Sequence, residues 1–194
     1  MKKESLLAAL TLIFINMIPS PGGIACQQTE SPQVTRVSPE LAEASRLSEQ
    51  VVLLHNQRKF DAALPLARRA LGIREAQLGS EHELVGHALK NIASLYFGKR
   101  NYAEASKFYQ RTVSVYEKVF GANDTRTADV LDSLGWSSYG DGDTGKAQRC
   151  LQRALTIRET SLGSESKPVG ETLFVLGQFS VSYTHLTLPT ILRV

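Results

Sequence analysis

Between about residue 40 and residue 180 the apolar positions recur at helical steps, and the helical runs come in pairs. From Leu41 onward, Leu47, Val51 and Leu54 share one face. A polar turn, Asn56-Gln57-Arg58-Lys59, separates that run from a second one. There Phe60, Ala63, Leu64, Ala67, Ala70, Leu71 and Leu78 follow i, i+3, i+4 and i+7 spacing. The pair predicts two helices packed along one apolar seam. It then returns. Leu84 to Gly98 places Leu89, Ile92, Ala93 and Tyr96 inward, Gly98-Lys99-Arg100-Asn101 is the turn, and Tyr102 to Val119 is the partner helix. It returns once more from Thr125 to Tyr139, with Asp124 as N-cap and Val130, Leu131, Leu134 and Gly135 inward. Gly140-Asp141-Gly142-Asp143 and a helix from Thr144 to Ser161 complete that unit. A last first helix is expected from near Pro168 to about Phe179.

Each second helix ends on the same stop: Leu78-Gly79, Phe120-Gly121 and Leu162-Gly163, the glycines 42 residues apart. Glycine adopts the left-handed conformation that ends a helix, so the stop is physical as well as periodic. Small residues fall in register where two helices must approach: Ala63, Ala105 and Ala147 in one column, and Ala93, Gly135 and Gly177 in another. A fixed period of this kind predicts stacked supersecondary units, an all-α solenoid, in place of one closed core. The aromatic slot that opens the second helix reads Phe60, Tyr102, Thr144, which makes the third unit the weakest copy.

The pattern Leu89-x-x-Ile92-Ala93-x-x-Tyr96 followed by Tyr102-x-x-Ala105-x-x-x-Tyr109 resembles a tetratricopeptide repeat. That unit is usually ~34 residues long. The longer period here, with the tail Arg74-Glu75-Ala76-Gln77-Leu78-Gly79, resembles the kinesin-light-chain-like subgroup. The resemblance implies a right-handed α-solenoid of about three and a half helix pairs over residues 40–180. It also implies a non-catalytic scaffold whose first helices line a concave groove for a protein or peptide. By register the groove positions are Lys90, Asn91, Ser94, Asp129, Asp132, Ser133, Trp136 and Tyr139. Lys90 and Asn91 supply a fragment of a carboxylate clamp, but Asp129 and Asp132 repel a carboxylate. The expected ligand therefore places a basic group near Asp129 and Asp132 and an apolar side chain against Trp136. A merely solvated polar face is the alternative reading of the same residues.

The ends of the chain follow other rules. Met1-Lys2-Lys3, the apolar stretch Leu6 to Ile18, and then Pro19, Pro21, Gly22 and Gly23 have the layout of a secretory signal peptide over residues 1–25. The stretch is short for a membrane span. Gly23-Ile24-Ala25 reads as a cleavage site that releases an exported protein. With Cys26 it also resembles a bacterial lipobox, departing from it at Gly23, and then Cys26 is a lipid-anchored first residue at the envelope. Residues 26–39 form a polar tether. Residues 181–194, Thr-rich and strand-prone, do not continue the repeat. They read either as a genuine cap or as a truncated or foreign end. A truncated chain is expected to be the repeat region of a longer protein with an effector such as a caspase-like peptidase domain.

Composition adds little to this. A net charge of +3 from 22 basic and 19 acidic residues is too small to argue for a nucleic-acid partner. Cys26 and Cys150 make no disulfide framework, and the four histidines show no metal-ligand spacing. Gly140 to Lys146 fits Gly-x-x-x-x-Gly-Lys, but Ala147 follows where Ser or Thr would hold magnesium, and no strand precedes it. Asp141, Asp143 and Gly145 hint at a calcium loop, yet Gln152 stands where the bidentate Glu belongs. Cys150 shares its register with Phe108 and Leu66 and is expected to be a buried apolar residue. No cofactor, metal or catalytic residue is expected.

Overall fold

The computed structural model describes residues 38–178. The signal-peptide reading, Cys26, the tether up to residue 37 and the tail after residue 178 lie outside the described residues, while Ser38 and Pro39, expected in the tether, cap and open the first helix. Six helices follow one another: α1 (Pro39–Asn56), α2 (Phe60–Leu78), α3 (Glu83–Gly98), α4 (Tyr102–Phe120), α5 (Thr125–Gly140) and α6 (Thr144–Leu162). Residues 167–178 belong to a seventh, α7. Three-residue turns join α1 to α2, α3 to α4 and α5 to α6, which folds each pair antiparallel. Each pair packs on the next mainly through the contact of its first helix with the preceding second helix. The expected all-α solenoid is the observed architecture.

The helix ends obey the sequence signals. Gly79, Gly121 and Gly163 have φ of 81°, 102° and 84°, the left-handed region that a side chain disfavours. Asn101 and Asp124 cap α4 and α5 through their side chains, accepting from the backbone N–H of Glu104 and Arg126. Pro39 sits in the first turn of α1, where its missing N–H costs nothing.

The core is one main apolar seam, with a smaller cluster of Ala44, Leu47 and Ala70 between α1 and α2. Leu89, Ile92, Leu95, Val85 and Val130 are fully buried in the main seam, with Ala63, Ala93, Ala105 and Ala147 at the close approaches. Tyr109 is buried, while Tyr96, expected inward, is half-buried and stacks on Phe108 with ring centroids 5.6 Å apart. Neighbouring pairs interlock by setting a ring against a glycine. A Cβ on Gly98 would stand 2.6 Å from the Phe60 ring, and one on Gly140 would stand 2.6 Å from the Tyr102 ring. The aromatic slot therefore fills a socket in the next unit. Gly177, the third member of the small-residue column, is exposed, with nothing in its Cβ position among the described residues.

Candidate functional site

The 42-residue period aligns the first helices α1, α3 and α5 in four columns: Ser48/Lys90/Asp132, Glu49/Asn91/Ser133, Val52/Ser94/Trp136 and His55/Phe97/Tyr139. The most deeply buried positions, such as Leu89, Ile92 and Ala93, lie between these columns, and the column residues themselves are exposed or half-buried. Lys90, Asp129, Trp136 and Tyr139 are exposed, and Asn91, Ser94, Asp132 and Ser133 are half-buried. Seven of the eight predicted positions fall in these four columns, and Asp129 belongs to a fifth, Ser45/His87/Asp129. Lys90 makes no ion pair among the described residues.

Two contacts tie the columns together. The Ser94 Oγ lies 3.0 Å from His55 Nε2, linking α3 to α1. Beside it, Val51, Val52, His55, Asn91 and Ser94 line a pocket of about 100 Å³. Under α3 and α5, the Tyr109 hydroxyl meets both Ser94 and Ser133. Burial pushes its pKa up, and the hydrogen bonds with Ser133 and then Ser94 oppose the rise. Tyr109 is a core residue whose polar tip supports the groove floor.

The acidic part of the groove differs from the expectation. Arg158, on α6, is buried, and its guanidinium reaches both carboxylates. Its Nη2 donates to Asp129 Oδ1 at 2.7 Å, and its Nη1 donates to Asp132 Oδ2 and, at 2.5 Å, to Thr172 Oγ1 on α7. Asp132 has its carboxyl pKa pushed up by burial, with the Arg158 hydrogen bond working against that rise. Its other oxygen, Oδ1, is buried without a hydrogen-bond partner among the described residues. The cation expected from a ligand is supplied by the chain itself. Asp132 is therefore a packing residue as much as a groove residue.

The sequence reading also stopped at α3 and α5. Val52 and His55 on α1, and Phe97 on α3, occupy the same columns. Val52 is 49% exposed, and Phe97, Trp136 and Tyr139 are each 37% exposed, so four large apolar side chains surface on this one face. The signal that locates the missed three is the period itself: 42 residues back from Ser94, Phe97 and Tyr139.

The other chemical candidates resolve into structure. Helix α5 runs directly into Gly140, and Asp143 caps α6 by accepting the Lys146 N–H. The Lys146 ammonium donates to Ser106 Oγ and Gln110 Oε1 at 3.0 and 3.1 Å, so it points to α4. The segment is a helix–helix turn. Cys150 is half-buried, packs against the core, and has its thiol pKa pushed up by burial, the opposite of an activated nucleophile. Among the described residues no cluster of His, Cys, Asp or Glu is placed to hold a metal ion. What the face offers is non-covalent: apolar side chains, hydrogen-bonding groups and one unpaired ammonium.

The tetratricopeptide repeat family model matches residues 43–118 and again 88–160, together more than half of the chain. No curated protein is significantly similar in sequence. Solved structures share the fold. BtubC (BKLC) from P. vanneervenii superposes with a TM-score of 0.67 at 23% identity, over 76% of this chain and 59% of that one. A putative kinesin light chain from Podospora anserina with nearly identical TPR-like repeats gives 0.63 at 19% identity, over 71% and 66%. The N-terminal domain of stress-induced protein-1 (STI-1) from C. elegans gives 0.57 at 14% identity, over 74% and 99%. The chain thus spans about three fifths to two thirds of the kinesin-light-chain-like structures that it matches. With the repeat period, the helix pairs and the family model in agreement, the chain belongs to the tetratricopeptide repeat family, and its fold is that of a protein-interaction scaffold.

Proposed function

We propose that this chain is a non-catalytic scaffold that holds a peptide segment of a partner protein on its first-helix face. The observation that carries this reading is the alignment of Val52, Phe97, Trp136 and Tyr139, all exposed and all on the groove columns. Isolated exposed apolar side chains are ordinary, but a row of them on one face marks a contact surface. Trp and Tyr are also the side chains that most often dominate binding energy. Asn91 and Lys90 supply the polar contacts that fix register. Because Arg158 already neutralises Asp129 and Asp132, a basic residue in the ligand is not required there.

The test is selection of binders from a displayed peptide library, followed by titration of variants. Trp136→Ala is expected to weaken a selected peptide by about tenfold or more, the range of an anchor residue. Arg111→Ala, on the outer helix α4, is expected to leave it unchanged. If Trp136→Ala and Tyr139→Ala both bind as the parent does, the face is wrongly assigned. Asp132→Lys is unsuitable as a groove probe, since it also breaks the Arg158 network.

Residues 1–25 favour export of the scaffold, with Cys26 as a candidate lipid-bearing first residue and a protein or peptide partner at the cell envelope or beyond. No described helix is long and apolar enough to cross a membrane. Mass spectrometry of the mature N-terminus tests this. A diacylated Cys26 supports the anchor, a free amine at Cys26 supports simple export, and a retained Met1 contradicts both.

A further inference from the structure

The three turns within the helix pairs have the same backbone and different chemistry. Arg58, Arg100 and Gly142 occupy one register position, and all three have positive φ: 58°, 59° and 90°. Their N–H groups bond back identically, to the carbonyls of His55, Phe97 and Tyr139 at 2.8, 2.9 and 3.0 Å. The next residue is Lys59, Asn101 or Asp143, bonding back to Leu54, Tyr96 and Ser138 at 2.9 Å each. Asn101 and Asp143 cap the following helix, and Lys59 makes no side-chain cap.

The third turn shows what this backbone prefers locally: glycine in the left-handed position and a capping acid after it. The first two turns depart from that preference, and each departure installs a cation. An arginine in the left-handed region is strained, and a lysine at an N-cap leaves an orphan donor. Arg58, Lys59, Lys99 and Arg100 are all exposed. Only Lys99 has an ion pair among the described residues, with Asp61. The two turns are neighbours on one edge of the solenoid, since the Phe60 ring at the start of α2 fills the Gly98 socket at the end of α3. Local stability is given up where positive charge is gained.

We propose that this turn edge docks an acidic peptide segment of a partner protein, separately from the first-helix groove. A short acidic segment matches the size of the patch, which covers two turns and then reverses sign. The third turn presents Asp141 and Asp143 on the same edge and repels an anion that continues past the second. A bilayer or a long polynucleotide is such an anion. None of the nine turn residues is apolar, so the edge also lacks the side chains that insert into a membrane.

The experiment uses the intact chain and a fluorescent decaglutamate peptide, titrated across a salt series. Arg58→Gly/Arg100→Gly is expected to raise Tm by about 2–8 °C, because it relieves two strained positions. It is also expected to weaken decaglutamate about tenfold at low salt, an effect that fades as salt screens the charges. Arg58→Lys/Arg100→Lys keeps the charge and is expected to bind as the parent does. Unchanged binding by the glycine variant overturns the proposal, and so does equal loss in the lysine variant. A fall in Tm for the glycine variant removes its premise. Equal loss in Trp136→Ala moves the acidic ligand to the groove, and tighter binding to phosphatidylserine vesicles than to decaglutamate assigns the edge to membranes. Either result contradicts the turn-edge assignment.

Discussion

Arg74 on α2 and Arg158 on α6 occupy the same place in their repeats, both are buried, and the two sites treat their charge in opposite ways. Arg74 donates to the Leu84 carbonyl at 3.2 Å and has no carboxylate partner among the described residues; burial pushes its pKa down. Burial also works against the charge on Arg158, but its hydrogen bonds with Asp129 and Asp132 outweigh that cost, and its pKa is raised. Between them in register stands Tyr116, whose ring lies where a Cβ on Gly86 would fall, 2.5 Å from its Cε1. Burial pushes the Tyr116 phenol up to about 12, with Glu83 adding to the shift and Arg126 opposing it. The position equivalent to Gly86 in the third unit is Ala128, which Arg158 tolerates and a tyrosine ring at that depth would not. One structural slot is thus filled three ways, and the choice reaches the groove. Only in the third unit does the slot draw two first-helix carboxylates into a network that also holds α7.

The largest effect is expected from removing the charge at the third slot. Arg158→Met leaves Asp129 and Asp132 without their cation and should cost about 2–4 kcal/mol in chemical denaturation, somewhat less than breaking a fully buried pair because Asp129 is exposed. Adding Asp129→Asn and Asp132→Asn should recover a large part of that loss, because the orphaned charges go with it. If Arg158→Met alone is neutral, the network contributes nothing to stability. Gly86→Ala comes next, at about 1–3 kcal/mol from overpacking against Tyr116. The same change in a Tyr116→Leu background should cost much less, and an undiminished cost would contradict the ring-on-glycine account.

The smallest effect concerns how α5 begins. Asp124 caps that helix, and its carboxyl is held at about 2 by hydrogen bonds from the Arg126 side chain and backbone N–H. Its folded pKa is below the unfolded value of about 4, so its contribution is full above that pH and is lost as pH falls toward about 2. Asp124→Ala should cost about 1 kcal/mol near neutrality and flatten Tm against pH between about 4 and 2. Asp132 has the opposite sign: its raised pKa lowers stability as pH rises through the carboxylate range. Arg158→Met should steepen that fall.

The fold was legible in the sequence because it rests on local signals that repeat. Gly79, Gly121 and Gly163 stop helices for a reason that needs no tertiary partner, and so do the caps at Asn101 and Asp124. The small-residue column at Ala63, Ala105 and Ala147 and the buried Tyr109 were legible by register. Part of the groove was legible too, since Trp136 and Tyr139 fall off the apolar stripe of α5. Arg158 was not. Arginine in an amphipathic helix reads as surface, and its burial depends on two acids contributed by another helix. Asp129 and Asp132, three residues apart on one face, were the only hint that a cation had to meet them. The strained Arg58 and Arg100 were equally hidden, because nothing in a side chain's identity announces a positive φ when glycine holds that position in only one copy.

Trp136 is the only tryptophan in the chain, and it stands on the proposed binding face. Its fluorescence therefore reports on the groove with no label. Titration with a library-selected peptide, with saturation checked independently by calorimetry, should shift the emission to the blue as the exposed indole leaves water. An emission spectrum that stays unchanged at saturation would show that the partner binds elsewhere and would contradict the groove.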